Sequence, residues 1–457
     1  MVNSDSVRRH IVIELTKSAE NQFSFFLLQL VAKASFVAVD LELSGLGDLK
    51  SLKHPNLEDR YRLLSLTAKS RAIVSLGLSF FCPLDVNDFQ VYSFNILTAC
   101  QDSYTVDPSS LQFLADNGFD FNKQISEGLL YYSGNDREEE RTPFLRKLFL
   151  EISNSNLRVV LHNGFIDLIF LYQAFYADLP SSLETFVADV SCLFRGGIAD
   201  TKYIADYQVR DDASFLEYLF WKRMKTMATE NFASVSISNL LLASSFDPLI
   251  NIRMNEIDLF DLSRAPPTPV VLCAQYASHG NCSHGRHCLL SHDIKLLFTA
   301  GNSVSLGGSA LHAPKAEKLS KKQKKKMRKS LKRAKQECLA NVAKRFALEE
   351  STGERPRSNG FAANAEPRDE LRERATRDAL CPTERFSHRA GFDAFMTGFV
   401  YFVDSHIYNE KLTAFDNMLF LSYKKVPLKL EKSAYALNSQ EFLRKSRNVA
   451  QQQLFGK

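Results

Sequence analysis

Asp40 and Glu42 stand two residues apart in FVAVDLELSGLGD, residues 36–48, at the end of a run of apolar and β-branched residues. Such a run predicts a strand, and successive strand side chains point to opposite faces, so both carboxylates project from one side, about 6.5–7 Å apart along the chain. Two like charges placed side by side repel and call for something positive between them. Hard divalent cations take oxygen ligands, which makes the pair a candidate part of a divalent-metal site that needs further carboxylates. Asp167 is one candidate, in the first turn of an apolar helix, where a lone carboxylate facing a core is costly unless it is paired or coordinated. The helix dipole offers Asp167 an alternative, purely structural, role. Asp393 is another, flanked by Phe392 and Phe395, with His388 five positions before it in HRAGFDAF.

A second constellation carries different chemistry. In CAQYASHGNCSHGRHCLLSH the residues Cys273, Cys282, Cys288 and His292 have the spacing C-x8-C-x5-C-x3-H. Three thiolates and an imidazole complete a tetrahedral Zn2+ shell with no open position, which is the ligand set of a structural metal. The motif resembles the CCCH fingers, which commonly bind single-stranded RNA. Those fingers carry aromatic residues after their second and third cysteines, where this chain has Ser283, His284, Leu289 and Leu290; Tyr276 is the aromatic left inside the finger, with His284 and His287 as weaker stackers. Base stacking contributes about 1–3 kcal/mol per base, so this finger is expected to grip RNA weakly.

The elements that must position these groups read as a mixed α/β pattern over residues 1 to about 250. LHNGFIDLIFLYQAF (161–175) predicts a short strand, a turn at Asn163 and Gly164, and a helix with apolar residues at 165, 168, 169 and 172. Residues 268–300 are too poor in aliphatics for a conventional core of their own. No internal repeat is present. The chain of 457 residues is 45% hydrophobic and 24% charged, ordinary for a soluble protein. The apolar stretch FSFFLLQLVAKASFVAV is broken by Gln29, Lys33 and Ser35, so neither a signal peptide nor a membrane span is expected. Eight cysteines without a secretion signal point to free thiols or metal ligands.

The net charge of +5 conceals a local concentration. Residues 315–335 carry twelve Lys and Arg against one Glu, a net +11 that leaves −6 for the rest of the chain. Residues 313–384 read as a disordered linker, with a transient helix over 318–350. The basic run is either a solvated tether or a nuclear-import signal read by an import receptor, and it attracts phosphate backbones in either case.

Taken together, FVAVDLELSGLGD, LHNGFIDLIFLY and HRAGFDAFMTG resemble the three exonuclease blocks of the His-containing DEDD nucleases, and more narrowly the deadenylase branch of that family. SRAIVSLGLSFF, SLQFLADNGFDFN, IADTKYIAD around Asp200 and ASFLEYLF near Glu217 support the likeness. The resemblance implies an RNase H-like mixed sheet flanked by helices, with the first part of the nuclease in residues 1–260. The CCCH finger (265–300) and the basic linker are inserted before the last nuclease part (385–440), and a tail (441–457) follows. It implies Asp40, Glu42, Asp167 and Asp393 as ligands of two Mg2+ or Mn2+, His388 as general base, and one structural Zn2+ in the finger. Asp200 is expected to support the site without being a ligand.

The implied reaction removes 5′-monophosphate nucleotides from RNA 3′ ends. The finger and the basic run are closest to a nuclear member of the branch found in Cajal bodies, with the nucleolus as a further location, that trims adenosine-rich or short non-templated tails of small nuclear RNA. Two alternatives stay open: an RNA-binding scaffold on a nuclease fold, and a cytoplasmic poly(A) deadenylase. Oligomeric state is not legible, and no membrane partner is expected.

Overall fold

The computed structural model describes residues 9–48, 52–84, 88–137, 142–229, 236–238, 254–258, 270–299, 305–307 and 389–455. His388, the 313–384 linker and its expected helix lie outside the described residues. Residues 1–308 and 381–457 form one compact unit.

In chain order the strands are β1 (Arg9–Leu15), β2 (Phe36–Leu43), β3 (Ile73–Pro83), β4 (Asp88–Cys100), β5 (Leu129–Tyr131), β6 (Arg158–Leu161), β7 (Ile198–Asp200), β8 (Ser236–Ser238), β9 (Met254–Asp258), β10 (Val271–Cys273), β11 (Ser305–Gly307), β12 (Met418–Leu419) and β13 (Leu428–Lys429). The helices are α1 (Glu20–Lys33), α2 (Leu57–Ser70), α3 (Pro108–Asp116), α4 (Phe121–Glu127), α5 (Phe144–Asn154), α6 (Phe165–Phe175), α7 (Leu183–Leu193), α8 (Leu216–Thr229), α9 (Ala274–His279), α10 (Ala390–Tyr408) and α11 (Gln440–Phe455). Among the described residues the main sheet has the order β13-β12-β7-β6-β2-β3-β4-β1-β9. Within it β3 runs antiparallel to β2 and β4, while β2, β6, β7 and β12 are parallel. Helices cover both faces, so the fold is the expected RNase H-like mixed sheet flanked by helices.

The alternation along β2 divides the molecule. Val37, Val39 and Leu41 face a core built with α1, α2, α5, α6 and α7. Phe36 and Ala38 face the other core, which is built largely from α8 and α10. Asp40 and Glu42 continue that second row, so they lie under the helix that carries Asp393. The helix crosses the strand in the opposite direction: Tyr401 packs edge-on to Phe36 with ring centroids 5.0 Å apart, and Gly398 sits against Ala38. From 401 back to 393 the helix rises about 12 Å, and four strand residues from 36 to 40 span about 13 Å, so Asp393 arrives over Asp40.

Residues 270–299 join the second core. Leu272, Ala277 and Ile294 are buried in the same cluster as Leu219, Phe220, Trp221 and Phe392, and β10 pairs with β11. The aliphatic shortage of this segment is therefore met by packing on α8. Among the described residues no helix is long and apolar enough to cross a membrane.

Candidate active site and metal centres

Among the described residues, two sets of side chains bring potential metal-ligating atoms within 4.8 Å of one another: Asp40, Glu42 and Asp393, and Cys273, Cys282, Cys288 and His292.

The first set is assembled by unusually close backbone approach. Asp40 pairs in register with Gly77 on β3. A Cβ on Gly77 would lie 1.8 Å from the carbonyl oxygen of Ala390, so the glycine lets the first turn of α10 rest directly on the sheet. Gly391 does the same from the helix side, where a Cβ would stand 2.7 Å from Val12 Cγ1 and 2.9 Å from the Phe94 carbonyl oxygen. The amide of Gly391, one of the helix-start donors with no partner inside the helix, donates to Asn95 Oδ1 at 3.1 Å. Ser75 Oγ donates to the same Asn95 oxygen at 3.0 Å. Gly77, Asn95 and Gly391 were not among the residues singled out from sequence. A glycine inside the apolar strand SLGLSFF is the one available signal, since such a glycine marks a close backbone approach.

Asp167 occupies the first turn of α6, as expected, after the strand β6 and a turn in which Asn163 has φ 60°. It is not one of the three mutually close carboxylates, yet its charge acts on both Asp40 and Glu42. Burial, then Asp393, Asp167 and Glu42, push the Asp40 carboxyl well above the ordinary range. Glu42 is raised in the same way by burial, Asp393 and Asp167. Burial raises Asp167 to about 7, with its own backbone hydrogen bond opposing and Asp200 adding. Like charges held this closely at half-buried positions fit divalent cations, whose charge would offset the repulsion.

Asp200 has the supporting place anticipated for it. Its carboxylate accepts from the backbone amides of Asn163 (2.9 Å), Lys202 (2.9 Å) and Phe420 (3.0 Å), with Gly164 and Tyr203 at 3.3 Å. It therefore ties the turn before α6 to the ends of β7 and β12. A second clamp holds the loop after Glu42: Asp107 accepts from the Gly47 amide at 2.8 Å and from Arg71 Nη2 at 2.7 Å. A Cβ on Gly45 would lie 2.2 Å from the Asp107 carboxylate, so both loop glycines serve this contact.

In the second set, Cys273 Sγ and Cys282 Sγ are 3.7 Å apart. Two thiolates at about 2.3 Å from one tetrahedral zinc stand about 3.8 Å apart, and the match supports the zinc assignment. His292 Nε2 is buried with no hydrogen-bond partner, as a ligating nitrogen would be. Tyr276, expected to be the finger's base-stacking residue, turns inward instead. Its ring stacks on His292 at 4.3 Å and its hydroxyl donates to Glu217 Oε2 at 3.1 Å.

Comparison with known proteins gives the family of the chain. The model of the CAF1 family of ribonucleases matches residues 16–144 and 140–401. An uncharacterized protein of Schizosaccharomyces pombe is 33% identical over 122 residues, which are 24% of this chain and 27% of that protein. The poly(A)-specific ribonuclease PARN of Arabidopsis thaliana is 33% identical over 129 residues, 25% of this chain and 18% of that protein. The chain thus spans about a quarter or less of the length of these relatives. The Mg2+- and Mn2+-bound structure of Pop2p from S. pombe is 18% identical with a TM-score of 0.36, covering 46% of this chain and 81% of that one. From the match across residues 16–401, the chain belongs to the CAF1 family of ribonucleases.

Proposed function

We propose that the protein is a metal-dependent 3′-to-5′ exoribonuclease of the deadenylase type, which trims 3′ tails of nuclear RNAs such as small nuclear RNAs and releases 5′-monophosphate nucleotides. The observation that carries the chemical part is the convergence of Asp40, Glu42 and Asp393 within 4.8 Å, from segments about 350 residues apart in sequence. Asp40, Glu42, Asp167 and Asp393 would together hold two Mg2+ or Mn2+. Bound there, two such ions would stabilise the attacking and the leaving oxygen of an in-line displacement at phosphorus.

The chain supplies the rest. The half-buried setting weakens the screening of the carboxylates by water, and Gly77, Gly391 and Asn95 fix the helix that brings the last of them. His388 is proposed as the base that takes the proton of the attacking water, a role that contributes about 10²–10⁴ in rate. The basic run at 315–335 and the Cys3His segment support the nuclear part of the reading. That combination resembles the family member known as target of early growth response protein, and the basic run would engage an import receptor. The Arabidopsis relative, named as a poly(A)-specific ribonuclease, supports adenosine-rich tails as substrates.

The test is incubation of the purified protein with 5′-labelled RNAs ending in A, U or mixed tails, with Mg2+ and then with EDTA. Stepwise shortening that EDTA stops is expected, fastest on A tails. RNA left intact in the presence of Mg2+ would refute the enzyme reading.

A further inference from the structure

The Cys3His module shares the hydrophobic core that supports the catalytic helix. Helix α8 lies between the two. Toward the module it presents Glu217, Tyr218 and Trp221, with Phe215 just before its first turn. Tyr276 hydroxyl binds Glu217, Phe215 meets the Tyr276 ring edge-on at 6.1 Å, Tyr218 meets Phe298 at 5.3 Å, and Lys295 Nζ stands 5.3 Å over Trp221. Gly280, at φ +68°, lets the chain press on Phe215, since a Cβ there would be 2.6 Å from its ring. Leu272 and Ile294 are fully buried in this interface.

Toward the nuclease, α8 presents Phe220, whose ring contacts Phe392, Phe395 and Phe399 of α10 at 6.1, 6.0 and 5.3 Å. Phe392 is adjacent to Asp393 in sequence and Phe395 two residues beyond it. Three residues past Phe220, Arg223 Nε donates to the buried Asp404 at 2.5 Å and Arg223 Nη2 to Asp211 at 2.8 Å, which fixes α8 to the far end of α10. A continuous set of contacts therefore runs from the ligand His292 through Tyr276 and Glu217 into α8, and through Phe220 to the residues around Asp393.

We propose that the zinc-loaded Cys3His module is a positioning strut of the nuclease, with Tyr276 and Glu217 as the positioning residues that transmit its order to Asp393. This rests on the exoribonuclease reading for its effect on rate but not for its effect on structure. Tightly packed interiors transmit such displacements, because filled cores do not absorb small shifts. The aromatic that would meet a base on a free finger is here committed to the strut. Zinc binding adds to the order that packing on α8 gives the module, since one ion ties together four side chains spread over residues 273–292. Loss of zinc releases His292, then the Tyr276 ring stacked on it, and then the Glu217 contact.

The experiment uses the full chain. Zinc is removed with phenanthroline, which leaves Mg2+ available, and its release is followed with a metallochromic dye. Hydrogen exchange is measured over 215–224 and 389–400, and hydrolysis of short oligo(A) is resolved into kcat and KM. The expected result is faster exchange in both segments and a fall in kcat of about tenfold with KM within about twofold. Zinc added back should restore both.

Glu217→Ala should give the same kcat loss while retaining zinc. Glu217→Gln, whose amide oxygen still accepts from Tyr276, should recover most of the rate. Zinc release with unchanged exchange in 389–400 would overturn the strut. So would a rise in KM at constant kcat, because that pattern belongs to a module that only grips RNA. If the zinc-loaded protein hydrolyses no RNA, the nuclease reading fails, and the exchange data alone then decide the strut.

Discussion

Gly77 is the position where one atom should matter most. Replacing it with alanine places a methyl 1.8 Å from the Ala390 carbonyl oxygen and 2.1 Å from its carbon, where ordinary contact begins near 3.4 Å. Both neighbours are backbone, so no side chain can swing aside. The start of α10 must retreat by roughly 1.5 Å or β3 must buckle, at an overpacking cost of about 1–3 kcal/mol. The retreat lengthens the 3.1 Å bond from Gly391 to Asn95 and carries Asp393 away from Asp40 and Glu42. A misplacement of about 1 Å at a reacting centre costs on the order of 10²-fold in rate. Gly77→Ala should therefore fold, with a Tm lower by several degrees, and lose about 10²-fold in kcat on labelled oligo(A) in Mg2+. A variant with wild-type kcat and a folded circular dichroism spectrum would refute the claim that this approach sets the site.

Other outcomes follow from the same geometry. Asp40→Ala and Asp393→Ala should abolish turnover while the metal-free protein keeps or gains thermal stability, because each removes a charge from a repulsive cluster; substantial residual turnover in either would contradict the ligand assignment. Burial and its charged neighbours hold Asp167 at about 7 in the folded state, above its ordinary 3.8, so the folded metal-free protein keeps a proton there that the unfolded chain gives up earlier. Its contribution to stability is complete below about pH 4 and is lost as pH rises through about 7, so in EDTA the melting temperature should be lower at pH 8 than at pH 5 and Mg2+ should recover it. Equal melting temperatures in EDTA would count against the buried cluster. Asp200→Ala strips five backbone amides of their acceptor and should lower stability by about 3 kcal/mol in urea melts, whereas a change under about 0.5 kcal/mol would show that these contacts are incidental.

What could be read from sequence was what short-range periodicity encodes. The period of two places Asp40 and Glu42 on one face of β2, and the shift from strand to helical spacing at Asn163 locates the turn before Asp167. The Cys3His spacing puts four ligands within reach of one ion because the intervening loops are short. What could not be read depends on how distant elements seat against each other. Nothing near Gly77 reveals that the backbone of residue 390 lies on it, and Asn95 looks like an ordinary polar residue in a strand until Gly391 is seen beside it. The likeness to CCCH fingers makes Tyr276 a candidate base-stacking residue but gives no direction for its ring. The carboxylate at Glu217, 59 residues earlier, decides which way it points.

The central claim is that Asp40, Glu42 and Asp393 cage a divalent cation. Diffraction from crystals grown or soaked in Mn2+ tests it most directly, through the anomalous signal of the metal. A peak is expected within about 2.0–2.3 Å of oxygens from all three side chains, absent in Asp40→Asn. A well-ordered structure in Mn2+ with no peak between them, or with the peak elsewhere, would contradict it.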